Sequence, residues 1–288
     1  MEERDWELLQ TLFKYKNITK AAQELFISQP TISKRLREIE QHFGVTIVQR
    51  GRRGVQFTPE GEYLAKSAEQ MLRHLRKIRE HVKDMNTAVV EGTLRLGVSN
   101  YFAKYQLPRV LKRFKDEHPH VEFQVQTGWS REVFQWVYNQ DVHIGFVRGD
   151  YQWAGKKHLL FEETLCVAYR EEFDLGDLPR LPRIDYRTES LFKGIIDNWW
   201  AEHFEQPPYV GMTVDRVDTC KEMVIHGLGY AIVPRRILHD APHLYKLDLT
   251  GREGTPILRK TWMIYHEEVL ALKIAKLFVD LVEHLDDW

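Results

Sequence analysis

Apolar residues between positions 18 and 44 recur at intervals of three and four, the spacing of one face of a helix. They form two stripes: Ile18, Ala21, Ala22 and Leu25, followed by Ile32, Leu36, Ile39 and Phe43. Only a few residues separate the stripes, and the corner falls between Phe26 and Gln29. The pattern therefore predicts two amphipathic helices that meet at a tight turn.

Residues that favour helix ends flank both stripes. Thr19 and Ser28 are candidate N-caps, because a hydroxyl oxygen can accept from the unpaired N–H groups of a first turn. Pro30 is compatible with a first turn, where its missing N–H needs no partner. Gly44 is placed to end the second helix.

The outward side of the second predicted helix is rich in hydrogen-bond donors and cations. In a helix-turn-helix this helix enters the DNA major groove, where such side chains read base edges and hold phosphates. The predicted DNA contacts at and after the turn are Ser28, Gln29, Pro30, Thr31, Ser33, Lys34 and Arg37. An ordinary helical hairpin with a solvated polar face is the alternative.

A basic turn follows the second helix. Residues 45–57 contain two short β-branched runs, and the turn between them carries Arg50, Arg52 and Arg53. The pattern predicts a β-hairpin with a cationic tip. Such a wing beside a recognition helix contacts the sugar-phosphate backbone, which adds affinity with little dependence on sequence. A solvated basic turn is the alternative.

A long helix is predicted from Thr58, an N-cap followed by Pro59 at the first helical position. No helix breaker occurs until past Asn86, which gives a length of about 40 Å at a rise of roughly 1.5 Å per residue. Its apolar residues alternate in steps of four and three: Leu64, Ala68, Met71, Leu75, Ile78, Val82 and Met85. This heptad seam favours pairing with a second copy of the chain, and the first six residues are the predicted dimer contacts. Packing against its own domain is the alternative.

Segments typical of strands and helices alternate after Glu91-Gly92. The expected strands are residues 93–98, 121–127, 142–147, 164–169, 210–214, 230–234 and 261–266. The expected helices are residues 101–117, 131–140, 190–204, 218–227 and 269–285. The alternation predicts an α/β domain with a mainly parallel sheet, built from two units that enclose a cleft.

Polar residues follow three of the predicted strands. In open α/β sheets, ligands lie beyond the carboxyl ends of strands, where helix N-termini offer free N–H groups. The candidates at these ends are Ser99, Asn100, Thr127, Gly128, Trp129, Ser130 and Arg148. Hydroxyls, backbone donors and a guanidinium together predict a site for a small anion, most simply a carboxylate. Plain helix capping by the hydroxyl residues and a solvated Arg148 are the alternatives.

Charge is uneven along the chain. Residues 1–90 contain sixteen Lys and Arg against twelve Asp and Glu, a net charge of +4, whereas the remainder has a net charge of −5. The basic part contains the predicted helix-turn-helix, and the acidic part is not expected to touch DNA. With no signal peptide and no apolar stretch of about 20 residues, the sequence predicts a cytoplasmic protein outside the membrane.

Catalytic and metal-binding patterns do not stand out. Cys166 and Cys220 lie far apart and indicate neither a disulfide framework nor a zinc site, and the histidines lack ligand-like spacing. The sequence therefore predicts no enzyme, no metal and no cofactor. A metabolic enzyme with an accessory DNA module and a regulator that senses cysteine oxidation remain the competing classes.

Several segments resemble the LysR-type transcriptional regulators over essentially the whole chain. They are TKAAQELFISQPTISKRLREIE, the wing with Arg50, TPEG at 58–61 and HGLGYAIVP at 226–234. The pair Ile47-Val48 departs from the Leu-Phe that is usual in this family. The resemblance implies binding to promoter DNA, assembly into homodimers and homotetramers, a small-molecule effector and a possible contact with RNA polymerase.

The resemblance also implies a division of the chain. A winged helix-turn-helix domain is expected over 1–58, a dimerising linker helix over 59–90, and a periplasmic-binding-protein-like effector domain over 91–288. The effector domain is expected to have two subdomains, one of about 91–161 with 266–288 and the other of about 162–265.

A closer resemblance is to the branch of this family that contains citrate-responsive catabolite control protein C. The matching segments are residues 127–157, the Trp pair at 199–200 and residues 214–234. In that branch the positions that match Ser130, Arg148 and Arg259 suit citrate. The resemblance thus adds Arg259 to the effector-site candidates and implies control of promoters in central carbon metabolism.

Overall fold

The structure is a computed structural model that describes residues 1–51, 54–86, 89–285 and 288, with Arg50 described by its backbone alone. The chain forms two compact units, Met1–Ala88 and Val89–Trp288. Each unit has a hydrophobic core of its own. The division lies close to the predicted start of the effector domain at residue 91, and the long helix belongs to the first unit.

The first unit is mainly helical. Its elements are α1 (Glu3–Tyr15), α2 (Ile18–Glu24), α3 (Gln29–Phe43), β1 (Val48–Gly51), β2 (Gly54–Phe57) and α4 (Pro59–Met85). The helix-turn-helix, the hairpin and the long helix are therefore where the sequence predicts them. Its core includes Leu9 of α1, Ala21 of α2 and Ile32 of α3, which are almost completely buried. Phe43 of the predicted stripe is instead exposed.

The helix ends confirm one predicted N-cap and correct the other. Ser28 caps α3, since its Oγ accepts from the Thr31 N–H at 3.3 Å. The cap of α2 is Asn17, whose Oδ1 accepts from the Lys20 N–H at 3.0 Å, and Thr19 lies within the helix. The helix thus begins at Ile18, two residues before the start that a cap at Thr19 predicts.

Hydrogen bonds from side chains of α3 and of the α4 N-cap to the backbone at Thr46 and Ile47 join the hairpin to the helices. The Ile47 N–H donates to Glu40 Oε1 at 2.8 Å, and the Thr58 hydroxyl donates to the Thr46 carbonyl at 2.6 Å. Gly61 lies so close that a Cβ added there would be 2.1 Å from the Ile47 carbonyl oxygen. The start of α4 therefore packs directly on the strand entry, which requires glycine at position 61.

The apolar seam of α4 is buried at one end of the helix and exposed at the other. Leu64 and Ala68, predicted to face a second chain, are buried in the core of their own unit, because α1 packs on this end of α4. Further along, Ile78 is 47% exposed and Val82 is 51% exposed. The predicted pairing surface is therefore reduced to the C-terminal part of the helix.

The second unit alternates strands and helices. Its elements are β3 (Gly92–Ser99), α5 (Asn100–Tyr105), α6 (Leu107–Glu117), β4 (Val121–Gly128), α7 (Ser130–Tyr138), β5 (Ile144–Arg148), β6 (Lys156–Tyr169), β7 (Arg183–Tyr186), α8 (Ser190–His203), β8 (Val210–Val214), α9 (Val217–Ile225), β9 (Ala231–Pro234), β10 (Tyr245–Asp248), β11 (Leu258–Tyr265) and α10 (Lys273–Glu283). Three 3₁₀ turns lie at Leu175–Asp177, Arg235–Leu238 and Glu267–Ala271.

Two predicted helices differ from the observed ones. The helix expected over 101–117 divides into α5 and α6 at Gln106, because Pro108 has no N–H to donate to the Lys104 carbonyl and its ring crowds that carbonyl. The last helix begins at Lys273, after a 3₁₀ turn, instead of at Val269. The sequence also missed β7 and β10, whose four residues each are too few to show strand periodicity.

The main sheet is mixed, which corrects the expectation of a mainly parallel one. Strands β4, β3 and β5 are parallel neighbours, whereas β11 pairs antiparallel with both β5 and β6. Strands β9 and β10 also pair antiparallel with β6. A second sheet contains the parallel pair β7 and β8.

Strand β6 pairs with different strands along its length. Its residues up to Thr164 pair with β11, and from Leu165 onwards it pairs with β9 and β10. The change of partners lies close to residue 162, where the sequence places the subdomain boundary. The strand therefore crosses that boundary without interruption.

Substitution of Gly61 by Ala is expected to destabilise the first unit by about 1–3 kcal/mol, because the added methyl group collides with backbone. Gly194→Ala is the matched control, since a Cβ at Gly194 in α8 meets nothing within 4 Å. That change is expected to stabilise the second unit by roughly 0.5–1 kcal/mol. Calorimetric unfolding of the full chain measures both shifts, and an unchanged first-unit transition in Gly61→Ala contradicts the packing described.

Candidate DNA-binding face and ligand cleft

The outward side of α3, here called the recognition face, consists of Gln29, Thr31, Ser33, Lys34 and Arg37. All of these are exposed except Ser33, which is half-buried. Two of them are oriented by neighbours: Gln29 Nε2 donates to Thr19 Oγ1 at 2.9 Å, and Thr31 Oγ1 lies 2.8 Å from Ser28 Oγ. Ser28 and Pro30 lie at the exposed start of the same helix.

Charged residues on the other side of α3 hold the helix in place. Arg35 Nη1 lies 3.1 Å from Asp5 of α1, and Arg35 Nη2 lies 2.9 Å from Glu2. Asp5 in turn accepts from the Glu2 N–H at 2.7 Å. Arg35 is therefore a structural cation, in contrast to Arg37 on the recognition face.

An aromatic residue in the turn of the helix-turn-helix was missed by sequence reasoning. Phe26 is 95% exposed and has a φ of 54°, which is uncommon for a residue with a side chain. The turn thus presents its ring beside the start of α3. The predicted wing residues Arg52 and Arg53, and the side chain of Arg50, lie outside the described residues.

The eight predicted effector residues come together in the second unit. Ser99, Asn100, Thr127, Gly128, Trp129, Ser130, Arg148 and Arg259 all line one cavity of about 550 Å³, here called the ligand cleft. Three of the contributing strands, β3, β4 and β5, end at Ser99, Gly128 and Arg148. Because parallel strands point the same way, their carboxyl ends meet at one edge of the sheet.

The loop from Thr127 to Ser130 is closely packed. A Cβ added at Gly128 would lie 2.6 Å from Trp136, and the Trp129 N–H donates to Glu132 Oε2 at 2.7 Å. Ser130 Oγ accepts from the Arg148 N–H at 3.1 Å. Ser130 thus fixes the end of β5, so its hydroxyl has a structural partner.

Ser99 differs from Ser130 in its hydrogen bonding. Its Oγ is buried and has no hydrogen-bond partner among the described residues. A buried hydroxyl without a partner is unfavourable, and a bound ligand that hydrogen-bonds to it removes that penalty. Ser99 Oγ and the Tyr186 hydroxyl, which lines the same cleft and also has no partner among the described residues, are therefore candidates to hydrogen-bond a ligand.

Arg148 is buried, which excludes the alternative of a solvated side chain. Its guanidinium forms an ion pair with Glu163 of β6 and lies 4.0 Å from the centre of the Tyr101 ring. Burial, and next the charge of Glu163, raises the pKa of Tyr101 to about 12, so this phenol remains neutral at pH 7. The pair and the ring hold the guanidinium in one orientation at the cleft.

Arg259 is the second buried guanidinium of the ligand cleft. It lies 4.1 Å from the centre of the Phe192 ring and 3.7 Å from a Glu189 oxygen. Burial, and next the charge of Arg148, lowers the pKa of Arg259 to about 10. The group is still protonated at pH 7, and an additional anion nearby favours its charged form.

Sequence reasoning missed the carboxylates that accompany these arginines. Glu163 lies within β6, and Glu189 follows β7, a strand that the sequence did not predict. Other side chains that line it come from α5, α9 and the segment after β7: Lys104, Tyr105, Tyr186, Arg187, Asp215, Arg216 and Asp218. Asp215 and Arg216 directly follow the predicted strand β8, so the signal of polar residues after strands applies to them as well. Lys104, Tyr105 and Asp218 lie on helices, and tertiary packing brings them to the cleft.

The two cysteines are inert in their surroundings. Cys166 and Cys220 are buried within the same hydrophobic cluster. Burial raises the pKa of each thiol to about 12, so little of the thiolate that attacks a peroxide is present at pH 7. No helix in the described part of the chain is long and apolar enough to cross a membrane.

A winged helix-turn-helix and an α/β unit with a polar cleft define a DNA-binding regulator with a ligand-binding domain. Residues 4–62 match the family model for the bacterial regulatory helix-turn-helix protein of the lysR family, and residues 87–286 match that for the LysR substrate binding domain. The chain belongs to the LysR family of transcriptional regulators. It is a regulator and not an enzyme.

Two relatives are similar in sequence to this chain over nearly its whole length. The HTH-type transcriptional regulator YraN of Bacillus subtilis is 40% identical over 98% of each chain. YkuM of the same organism is 33% identical over 100% of this chain and 98% of its own. Full-length CbnR complexed with its target DNA has a similar fold, with a TM-score of 0.70 at 18% identity, over 98% of this chain and 99% of that one.

Substitution of Arg37 by Ala is expected to weaken discrimination between a specific duplex and a random one by about 1–3 kcal/mol, because the sequence assigns the exposed Arg37 to base readout. Arg52→Ala is expected to weaken binding to both duplexes alike and to lower the salt slope by about one, because the sequence assigns Arg52 to phosphate contact in the wing. Titrations at several salt concentrations, with a duplex selected from a random pool, measure both effects.

The control for both variants is Lys66→Ala, which removes an exposed cation of α4 away from the recognition face. Its affinity and salt slope are expected to match those of the unsubstituted protein. Equal effects of Arg37→Ala and Arg52→Ala on the two duplexes contradict the assigned roles.

Proposed function

We propose that the ligand cleft binds a small organic anion with carboxylate groups, for which citrate is the first candidate. Binding then changes how the protein occupies promoters, which the resemblance to the citrate-responsive branch assigns to central carbon metabolism. The protein acts in the cytoplasm on promoter DNA, with RNA polymerase as a further partner and without a resident cofactor or metal.

The observation that carries this proposal is a pair of buried guanidinium groups at one cavity. Arg148 and Arg259 both line the ligand cleft, and each is more than nine-tenths buried. Guanidinium groups match carboxylates geometrically, and their hydrogen bonds are strong because both partners carry charge. The cleft therefore has the chemistry of an anion site.

The balance of charge around the ligand cleft supports the same ligand class. Five cationic side chains line it, against three carboxylates: Lys104, Arg148, Arg187, Arg216 and Arg259, against Glu189, Asp215 and Asp218. Glu163 compensates one of these cations from β6. A net positive cleft in an otherwise acidic unit attracts anions, and a ligand with several carboxylates uses more than one cation.

A different signal, oxidation of the cysteines, is disfavoured by their burial and raised pKa. A different small molecule remains the alternative to citrate, and a panel of carboxylates distinguishes them. The oligomeric state follows from another surface, the exposed end of α4.

Citrate is expected to raise the unfolding temperature of the full-length protein more than succinate or acetate does. A ligand present at 100 times its Kd stabilises the native state by about 2.7 kcal/mol. Arg259→Gln is expected to abolish the shift, whereas Arg252→Gln, which changes an exposed arginine of the same unit, retains it. An equal shift in Arg259→Gln, or no shift with any of the three anions, contradicts the proposal.

Arg148 is less suitable for this test. Its replacement by Ala leaves Glu163 buried without its cation, which is expected to destabilise the fold by about 3–5 kcal/mol. Loss of the ligand response in that variant then has two explanations, a lost ligand contact and a destabilised fold. In Arg259→Gln, Glu189 keeps its hydrogen bond from the Arg131 N–H, so the fold is less affected.

We further propose that the chain forms homodimers through the C-terminal part of α4, and homotetramers from pairs of these dimers. The residues offered are Met71, Leu75, Ile78 and Val82, together with Met85, which is 75% exposed. Their heptad spacing continues along α4 to residues whose side chains are exposed, Ile78, Val82 and Met85, although Arg79 still pairs with Glu3 of α1. An exposed apolar stripe of this spacing is typical of a helix that pairs with another.

Substitution of Ile78 by Glu is expected to dissociate the dimer, because it places a charge in the apolar seam. Light scattering on a sizing column measures the change in mass. Gln70→Glu adds the same charge to an exposed position of α4 outside the seam and is expected to leave the assembly unchanged. An unaltered mass for Ile78→Glu contradicts the pairing surface.

A further inference from the structure

Glu189 is a buried carboxylate whose contacts all come from groups suited to bind an anionic ligand. It is the residue before α8, but it makes no side-chain hydrogen bond to the N-terminus of its own helix. Its Oε1 accepts from the Arg131 backbone N–H at 3.0 Å and from the Tyr151 hydroxyl at 3.4 Å. Its Oε2 lies 3.7 Å from the Arg259 guanidinium.

These donors belong to segments other than α8. The Arg131 N–H lies in the first turn of α7, where backbone donors have no partner within the helix and favour negative charge. Arg259 belongs to β11, and Tyr151 follows β5. The Glu189 side chain therefore contacts no donor of α8. It binds donors from three other segments: the Arg131 N–H, the Tyr151 hydroxyl and the Arg259 guanidinium.

We propose that Glu189 is an internal competitor of the effector: it occupies the place of one ligand carboxylate, and the effector binds by displacing it. This inference rests on the proposed function, because it requires an anionic ligand in the ligand cleft. The N–H of Arg131, the hydroxyl of Tyr151 and the guanidinium of Arg259 then bind whichever carboxylate is present.

Burial makes this exchange selective for anions. The Glu189 side chain is 10% exposed and the Arg259 side chain is 9% exposed, so a departing carboxylate leaves a desolvated cation behind. A neutral ligand does not compensate that charge, whereas a second carboxylate does. Glu189 therefore makes binding depend more strongly on the negative charge of the effector. It also lowers the effector's apparent affinity.

Competition differs from a purely structural role in its effect on ligand affinity. When only a fraction of molecules has the site available, the apparent Kd rises in inverse proportion to that fraction. A variant without the competing charge binds carboxylates more tightly, and it is less stable than the unsubstituted protein when no ligand is present. A structural counter-ion shows only the loss of stability.

The test compares Glu189→Gln with the unsubstituted full-length protein by calorimetric titration with citrate and with succinate. Glutamine keeps the size and an acceptor oxygen but lacks the charge, and a decrease of tenfold or more in Kd is expected. Glu205→Gln is the matched control, because it removes the same charge from an exposed position after α8. Its Kd is expected to be unchanged.

Glu189→Asp is a second variant that keeps the charge and shortens the side chain. If the contact with the Arg131 N–H is what blocks the site, this variant also binds more tightly. A Kd equal to that of the unsubstituted protein in Glu189→Asp, with a lower Kd in Glu189→Gln, attributes competition to charge and still supports the proposal.

Other outcomes separate the two proposals. If citrate or succinate binds the unsubstituted protein and Glu189→Gln equally well, or binds the variant less well, competition is overturned and the proposed function stands. Binding to Glu189→Gln alone supports competition. If neither probe binds any of the proteins, the proposed carboxylate effector is overturned, and competition falls with it.

Discussion

The buried ion pair between Arg148 and Glu163 is the interaction on which the ligand cleft depends. The two residues lie on β5 and β6, and β11 runs between these strands with Arg259 opposite Glu163. A shift of β11 by one residue turns Arg259 to the other face of the sheet, so the strand register also fixes the second guanidinium. Loss of one member of such a buried pair costs about 3–5 kcal/mol, which makes the arrangement of charges inseparable from the fold.

In the first unit, contacts on the side of α3 opposite the recognition face hold the helix in place. Arg35 ties α3 to Asp5 of α1, and Glu40 ties its other end to the Ile47 N–H. The close approach of Gly61 to Ile47 then sets where α4 leaves the domain. Helix α3 therefore has two chemically different sides: one fixes its position, and the other is exposed and carries Gln29 and Arg37, the predicted DNA contacts.

The parts that local sequence determines were predicted, and those that depend on distant packing were not. Spacing and capping identified α2, α3 and the start of α4, although Asn17 took the role expected of Thr19. Polar residues after strands located the cleft, since strand ends converge wherever neighbouring strands are parallel. No local pattern marks Glu189 as a partner of the Arg131 N–H, and the seam of α4 does not reveal that Leu64 is already covered by α1.

A ligand changes DNA occupancy only if it binds two arrangements of the protein with different affinity. The proposed competition supplies such a pair, because in one arrangement the donors of the ligand cleft hold Glu189 and in the other they hold a ligand carboxylate. Displacement frees the residue that immediately precedes α8, so the chemical event at the cleft is also a change at the start of a helix. On this proposal, the buried cations that select an anion also connect its binding to the backbone at the start of α8.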